Sequence, residues 1–302
     1  MGMSSKAREN EAGANRAARR HMGDVAWPTV ALFVFCLVGY VSALALTALG
    51  IVGPVSGFLA TAFLVYLSYT IVHEAVHGSI HGSEKSLKWA SDAMGYICAQ
   101  FFGLAFTIHR KEHLAHHRNT NAHGEDPDLA LVTGGLIGLL RGALIALPMQ
   151  VKYYLDNHWA TASKREKAII FAEYSVMISW RIGFIAVAGW KVSLLLLLGA
   201  TLLGILMLLL SFAWIVHRSF DVTGRYKDTS TIIFPEPFDT VISWLWLFQN
   251  YHSIHHLFPR VPFYRYRRLF REIEEIMVAN GAPILRIAHG RKRGLMPSIN
   301  PA

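Results

Sequence analysis

The sequence predicts an all-α integral membrane protein: about four transmembrane helices, further helices at the membrane interface, and a histidine-rich site on one membrane face. Three observations carry this. Hydrophobic residues make up 53% of the chain and charged residues only 16%, against roughly a quarter charged in soluble domains. Several runs reach the roughly 20 apolar residues that a membrane helix needs. Thirteen of the fifteen histidines fall between residues 73 and 256, clustered at or beyond the ends of those runs.

Taken in order, residues 1–26 are polar and basic (Lys6, Arg8, Arg16, Arg19, Arg20) and are expected to be a disordered cytoplasmic tail. Residues 27–271 are expected to form the catalytic domain, and 272–302 a cytoplasmic C-terminal segment. The first apolar run, 28–50, is too long for a signal-peptide core and reads as a retained span. A Gly/Pro turn leads to a second span at 54–72. A third at 168–190 carries Glu173 and Arg181, which are expected to serve structure as an ion pair or at the interface. The fourth, 192–216, is the most apolar. Two shorter apolar stretches, 89–108 and 129–150, are ambiguous by hydropathy alone.

Chemistry arbitrates between them. With four spans, His73, the cluster at 109–123, His217 and the cluster at 252–256 all emerge on one face, and the ambiguous stretches become interfacial or re-entrant helices. Lys191 is then the only basic residue in an outer loop, so that face is cytoplasmic and the membrane is the cell's inner membrane. The net charge of +9 follows from the same asymmetry. No nucleic-acid-binding motif accompanies it, so nucleic acid is not an expected partner. Cys36 and Cys98 both sit in apolar surroundings and offer neither a disulfide framework nor a thiolate metal site.

The histidines come in boxes. His73, His77 and His81 recur at i, i+4 and i+8, one stripe of a helix. The segment "HRKEHLAHHRNTN" holds His109, His113, His116 and His117; "WIVHRSF" holds His217; "NYHSIHHLFPR" holds His252, His255 and His256. Two of these spell H-x-x-H-H, which places imidazoles on adjoining helix positions. His21, His158 and His289 stand alone and are expected to be polar surface groups. The first box also spells H-E-x-x-H, the zinc-protease signature, with Asp128 or Asp221 available as a distant ligand. A catalytic zinc takes about three protein ligands, however. That reading strands the two H-x-x-H-H boxes, whereas nine imidazoles suit two octahedral ions with open positions. The Glu-x-x-His pairs of carboxylate-rich di-iron bundles are missing. Glu74 is therefore expected to support the ligands rather than act as a protease base.

The boxes "HEAVH", "HLAHH" and "HSIHH", with the spans between them, resemble the membrane fatty acid desaturase superfamily of non-haem di-iron enzymes over about residues 60 to 270. Within it, "HLAHHRNTNAHGEDPDL", "HRSFDVTGRYKDT" and "FQNYHSIHHLFPRVPFYRYRRLF" look most like the desaturase-type β-carotene ring hydroxylases. The resemblance implies two Fe ions held by His73, His77, His113, His116, His117, His217, His252, His255 and His256. His81, His109 and His123 are extra, as ligands or supports. Glu74 stands where related hydroxylases commonly carry Asp, and His109 stands where no histidine is expected. Glu74 and Asn250 are the candidate catalytic neighbours, with Asp126, Asp128 and Asp221 as further partners for the imidazoles.

The implied reaction uses O2 and external electrons to oxidise an unactivated C–H bond of a lipophilic substrate. Carotenoid β-ring hydroxylation is the leading expectation; acyl-lipid desaturation or hydroxylation on the same scaffold is the alternative. No flavin fingerprint or cysteine cluster is present, so an external donor such as a ferredoxin is required. Arg260, Arg265, Arg267, Arg268 and Arg271 are expected to meet anionic lipid headgroups or to help dock that donor.

Overall fold

The computed structural model describes residues 5–217 and 221–287. Its centre is α3 (Pro54–His77), reached from α2 (Trp27–Ala48) by a short turn; both helices start with Pro in their first turn, where the missing N–H costs nothing. From Ala62 to Val76 every residue but Phe63 is buried. The reason is that α3 is enclosed by α2, by α4 (Lys88–Phe102) and by α9 (Ala200–Leu208). Gly204 lets α9 close on it, since a β-carbon there would stand 2.6 Å from Val65. The enclosed helix delivers His73 and His77 at its last turn. α4 ends at Gly103, and α5 (Phe106–Asn119) starts almost at once. Both oxygens of Glu173 accept from the Thr107 backbone N–H at 3.3 Å, and the Thr107 hydroxyl donates to the same carboxylate. A carboxylate at a helix N-terminus is favourable, and this one fixes the direction of α5. Glu173 thus serves α5, while Arg181 donates to the Gln100 carbonyl at 3.1 Å.

After the short α6 (Leu129–Val132) comes α7 (Gly135–Asn157), then helical chain from Lys164 to Trp214: α8 (Lys164–Ser193), a π-helical turn, α9, and a second π-helical turn at Leu209–Trp214. Among the described residues, four helical segments are long and apolar enough to cross a membrane: Trp27–Ala48, Pro54–His77, Gly135–Asn157 and Lys164–Trp214. The last is two spans. Arg181 bonds the Gln100 carbonyl and Thr201 the Phe101 carbonyl at 3.3 Å, yet a straight helix would hold residues 181 and 201 about 30 Å apart. The chain doubles back at Gly189, whose φ of 77° and ψ of 161° belong to a region open essentially only to glycine. Gly189→Ala is accordingly expected to cost about 1–3 kcal/mol, read as a lower unfolding temperature in detergent. Gly183→Ala, with no atom within 4 Å of the new methyl, should not lower it.

The stretch at 129–150 was expected to be interfacial or re-entrant, but α7 alone meets the length and apolarity of a span. The ring centroids of His116 and His217 are 5.0 Å apart, so the chain between them crosses an even number of times. The hairpin at Gly189 supplies two crossings, and α7 adds no third. Its apolar outer face (Leu136, Ile137, Leu140, Leu144) gives way to Lys152 and Asp156, paired at 2.5 Å, as in a helix lying against the bilayer boundary.

Three expectations are corrected. Residues 5–19 form a helix, α1, rather than a disordered tail. Its small face buries Ala14 and Ala18 completely and sets Gly13 against Ile276 of α12 (Tyr266–Ala279). Second, α12 runs through the expected boundary at 271/272, and a strand beyond it, Ile284–Arg286, pairs in parallel with Thr231–Ile233. The chain to residue 287 therefore continues the same body. Third, His21 is not a free surface group: it is buried and meets Glu272 at 2.7 Å. His289 lies outside the described residues. The arginine patch is also largely spent inside the fold. Arg260 donates to the Gly82 carbonyl, Arg265 to Asp24, Arg267 pairs with Asp239, and Arg271 reaches Glu236 at the surface; Arg268 and Arg271 remain exposed.

Candidate metal centre

Four elements meet at one place: the last turn of α3, the length of α5, His217 three residues beyond the second π-helical turn, and α11 (His252–Leu257). The spacing within each box turns its rings to one side, and the nine histidines named above converge. His73, His77, His113, His117 and His255 offer ligand atoms within 4.8 Å of one another, as do His116, His217 and His256. His252 joins the second group, its Nε2 lying 3.1 Å from that of His256. The Nε2 atoms of His77 and His113 are 3.0 Å apart, those of His113 and His117 3.1 Å, and those of His117 and His255 2.8 Å. His117 also stacks on His256 at 4.3 Å, so the two groups adjoin.

Four of the outer nitrogens are held by protein. His116 Nδ1 meets Asp126 at 2.8 Å, His252 Nδ1 meets Gln249 at 2.7 Å, His255 Nδ1 meets the Tyr266 hydroxyl at 3.1 Å, and His256 Nδ1 meets Thr120 at 3.3 Å. Partners of this kind orient metal-binding imidazoles and raise their basicity. Burial, reinforced by the neighbouring imidazoles, drives His113, His117, His217, His252, His255 and His256 well below their ordinary pKa; neutral imidazole is the form that binds metal. His116 differs. Burial opposes its charged form, but Asp128, Asp126 and Glu112 hold its pKa up, to about 9.

This constellation fits metal. The donors are all imidazole nitrogens, which suit Fe, Zn, Cu and Ni. His73 Nε2 is buried with no hydrogen-bond partner, a condition that costs about 1–3 kcal/mol unless something takes its lone pair.

The remaining candidates lie elsewhere. The carboxylate of Glu74 accepts from the Thr29 hydroxyl and from the Phe263 backbone N–H, each at 2.5 Å; both oxygens are spent on the scaffold, and its hydrogen bonds reach no histidine. Asn250 donates to the Ile232 carbonyl and to Ser243, holding a strand to α10 (Phe238–Leu245). These bonds place both side chains in the scaffold around the histidines. Among the described residues Asp221 pairs with His123 at 3.2 Å, both largely exposed, and neither belongs to the two histidine groups. His81 is also apart from the two groups. His109 stacks on His113 at 5.5 Å but faces Gln150 and Glu112.

Sequence reasoning passed over Glu112, which is buried beside His109 and near Asp128. Burial, reinforced for Asp128 by Glu112, raises the pKa of both carboxyls. Its signal was available: Glu112 lies at i+3 from His109, on the same helix face. Gln249, at i−3 from His252, was legible in the same way. Tyr266 was not, because only the tertiary fold brings it back to His255.

A narrow cavity of about 60 Å³ borders the site, lined by His73, His113, His217 and His252 on one side and by Phe102, Leu131, Leu209 and Phe212 on the other. His117 and His256 border a separate polar recess of about 430 Å³ with Arg118, Arg225 and Asp228. Nine imidazoles in two adjoining groups, set where apolar helices meet a polar face, define a membrane protein built to hold metal beside a lipophilic ligand. The chain belongs to the fatty acid desaturase family, whose model it matches over residues 49–288. A search of curated proteins returns no match. The family carries oxidoreductase activity on lipids, in keeping with these histidine clusters.

Proposed function

We propose that the protein is a membrane di-iron oxygenase that uses O2 and external electrons to oxidise an unactivated C–H bond, and that its substrate is a carotenoid β-ring. The observation that carries the metal reading is the division of the nine histidines into two adjoining groups. Bound there, two irons would supply the O2 activation that side chains cannot. His73, His77, His113, His117 and His255 would hold one, and His116, His217, His252 and His256 the other.

The chain's own part is placement. Phe212, Leu209, Leu131 and Phe102 exclude water and set one carbon of the substrate beside the imidazoles, which is where positioned reactions gain their advantage. Asp126, Gln249, Tyr266 and Thr120 keep the rings in place. Electrons from a carrier such as a ferredoxin would arrive from the polar recess, through His117 and His256. The positive-inside charge bias supports a cytoplasmic position for this face, and the reading takes the membrane to be the inner one. The carotenoid assignment rests on the motif resemblance; an acyl lipid oxidised on the same scaffold is the second reading, favoured by the family match.

Mass spectrometry of the lipids of β-carotene-producing cells expressing the chain tests both. Carotene gaining one or two oxygens supports the first reading, and unchanged carotene beside newly unsaturated or hydroxylated acyl chains supports the second. No oxidised lipid with a matched donor co-expressed would overturn both.

A further inference from the structure

Two cavities meet at the same three side chains. The inner one, of about 60 Å³, borders the histidines; the outer, of about 200 Å³, is lined by Ile108, Pro148, Val151 and Tyr174; Leu104, Leu147 and Gln150 line both. The inner space matches roughly two water molecules and takes only the end of an elongated molecule. The outer cavity reaches α8 at Tyr174. It lies where α7 and α8 pack on α5 more than on each other. Pro148 removes an amide donor inside α7, which loosens a helix at that point, one residue from Leu147.

The neck is apolar except for one pair. Gln150 Nε2 lies 3.2 Å from His109 Nδ1, while Gln150 Oε1 and His109 Nε2 are buried without a partner. The amide N–H donates to Nδ1, so Nε2 carries the proton, leaving one donor and one acceptor. Exchanging the amide O and N reverses both roles and still leaves one of each. A hydroxyl, which donates and accepts, complements that pair.

We propose that the lipophilic substrate enters sideways from the bilayer, between α7 and α8, and that Gln150 and His109 at the neck bind a hydroxyl group on any lipid that carries one, holding it more tightly than a bare hydrocarbon such as β-carotene. The inner end of this passage rests on the oxygenase reading, but the passage can be tested without turnover. The full chain in phosphatidylcholine vesicles is photolysed with a diazirine-bearing hexadecane or the corresponding hexadecanol, and labelled residues are mapped by mass spectrometry.

In the wild type both probes should label Tyr174 and Val151 at the outer cavity and Leu131 and Phe212 at the inner one. The alcohol should be preferred at the inner positions by about tenfold. Leu147→Trp should abolish inner labelling and spare the outer. Gln150→Leu should erase the preference for alcohol and keep hydrocarbon labelling. An unchanged unfolding temperature in both variants shows that they fold. Inner labelling that persists in folded Leu147→Trp would overturn the lateral entrance. Equal inner labelling by the two probes in the wild type would overturn hydroxyl recognition and assign the polar pair to water. Because no product is measured, labelling as described beside absent oxidation would sink the oxygenase reading alone.

Discussion

Replacing His255 by alanine is expected to abolish oxidised product, at least about 100-fold, and to lower the iron content of the purified protein together with it. Mutating even an outer partner of a metal ligand costs about 10–100-fold, and His255 is no outer partner. Its Nε2 stands 2.8 Å from that of His117, and its ring centroid is 4.0 Å from that of His73 and 4.9 Å from that of His77. Removing it opens a gap in the middle of the five-histidine group and strands the Tyr266 hydroxyl. His109→Ala is the matched control, since His109 belongs to neither group and the variant should retain its metal. Elemental analysis of the detergent-purified proteins reads the outcome. About two irons in the wild type and in His109→Ala, with a clear deficit in His255→Ala, fits the di-iron assignment. A single zinc in the wild type, or full iron in His255→Ala, would sink it.

The histidine boxes were legible because metal ligation imposes a spacing, and the family resemblance singled out nine of their histidines. Rings at i, i+3 and i+4 share a helix face whatever surrounds that helix, and parity of the spans puts the boxes on one side. The structure brings all nine together. What surrounds them was less legible, for two physical reasons. Neighbours in sequence are not neighbours around a helix: Glu74 follows His73 directly, yet it points about 100° away and binds Thr29 and Phe263. The environment that gives a carboxylate a role is made by distant chain, so nothing local distinguishes the buried Glu112 from a solvated glutamate. Hydropathy failed in its own way at α7, where composition admits a span and only the closeness of His116 to His217 denies it. In α1, a low-hydrophobicity segment reads as tail because alanines contribute little apolar surface. Ala14 and Ala18 are nonetheless buried, since small side chains let α1 lie close on α12.

Glu74→Ala gives the sharpest test between the two readings of H-E-x-x-H. Glu74 is 1% exposed, and its two oxygens tie the start of α2 and the segment before α12 to the last turn of α3. Without the carboxylate, the Thr29 hydroxyl and the Phe263 N–H are buried donors with no acceptor, each costing about 1–3 kcal/mol. The variant should unfold at a clearly lower temperature. Glu74→Gln should be milder. Its remaining oxygen can still accept from the Phe263 N–H, while the Thr29 hydroxyl turns to accept from the new amide. Product formation should therefore survive in Glu74→Gln, along with metal content. A protease base behaves in the opposite way: its amide variant folds with full stability and loses activity, because the lost group acted on a water rather than on the scaffold. Unfolding temperature and product formation, measured on the same two variants, separate these roles. An inactive Glu74→Gln of undiminished stability and full metal content would return Glu74 to the chemistry and reopen the protease reading.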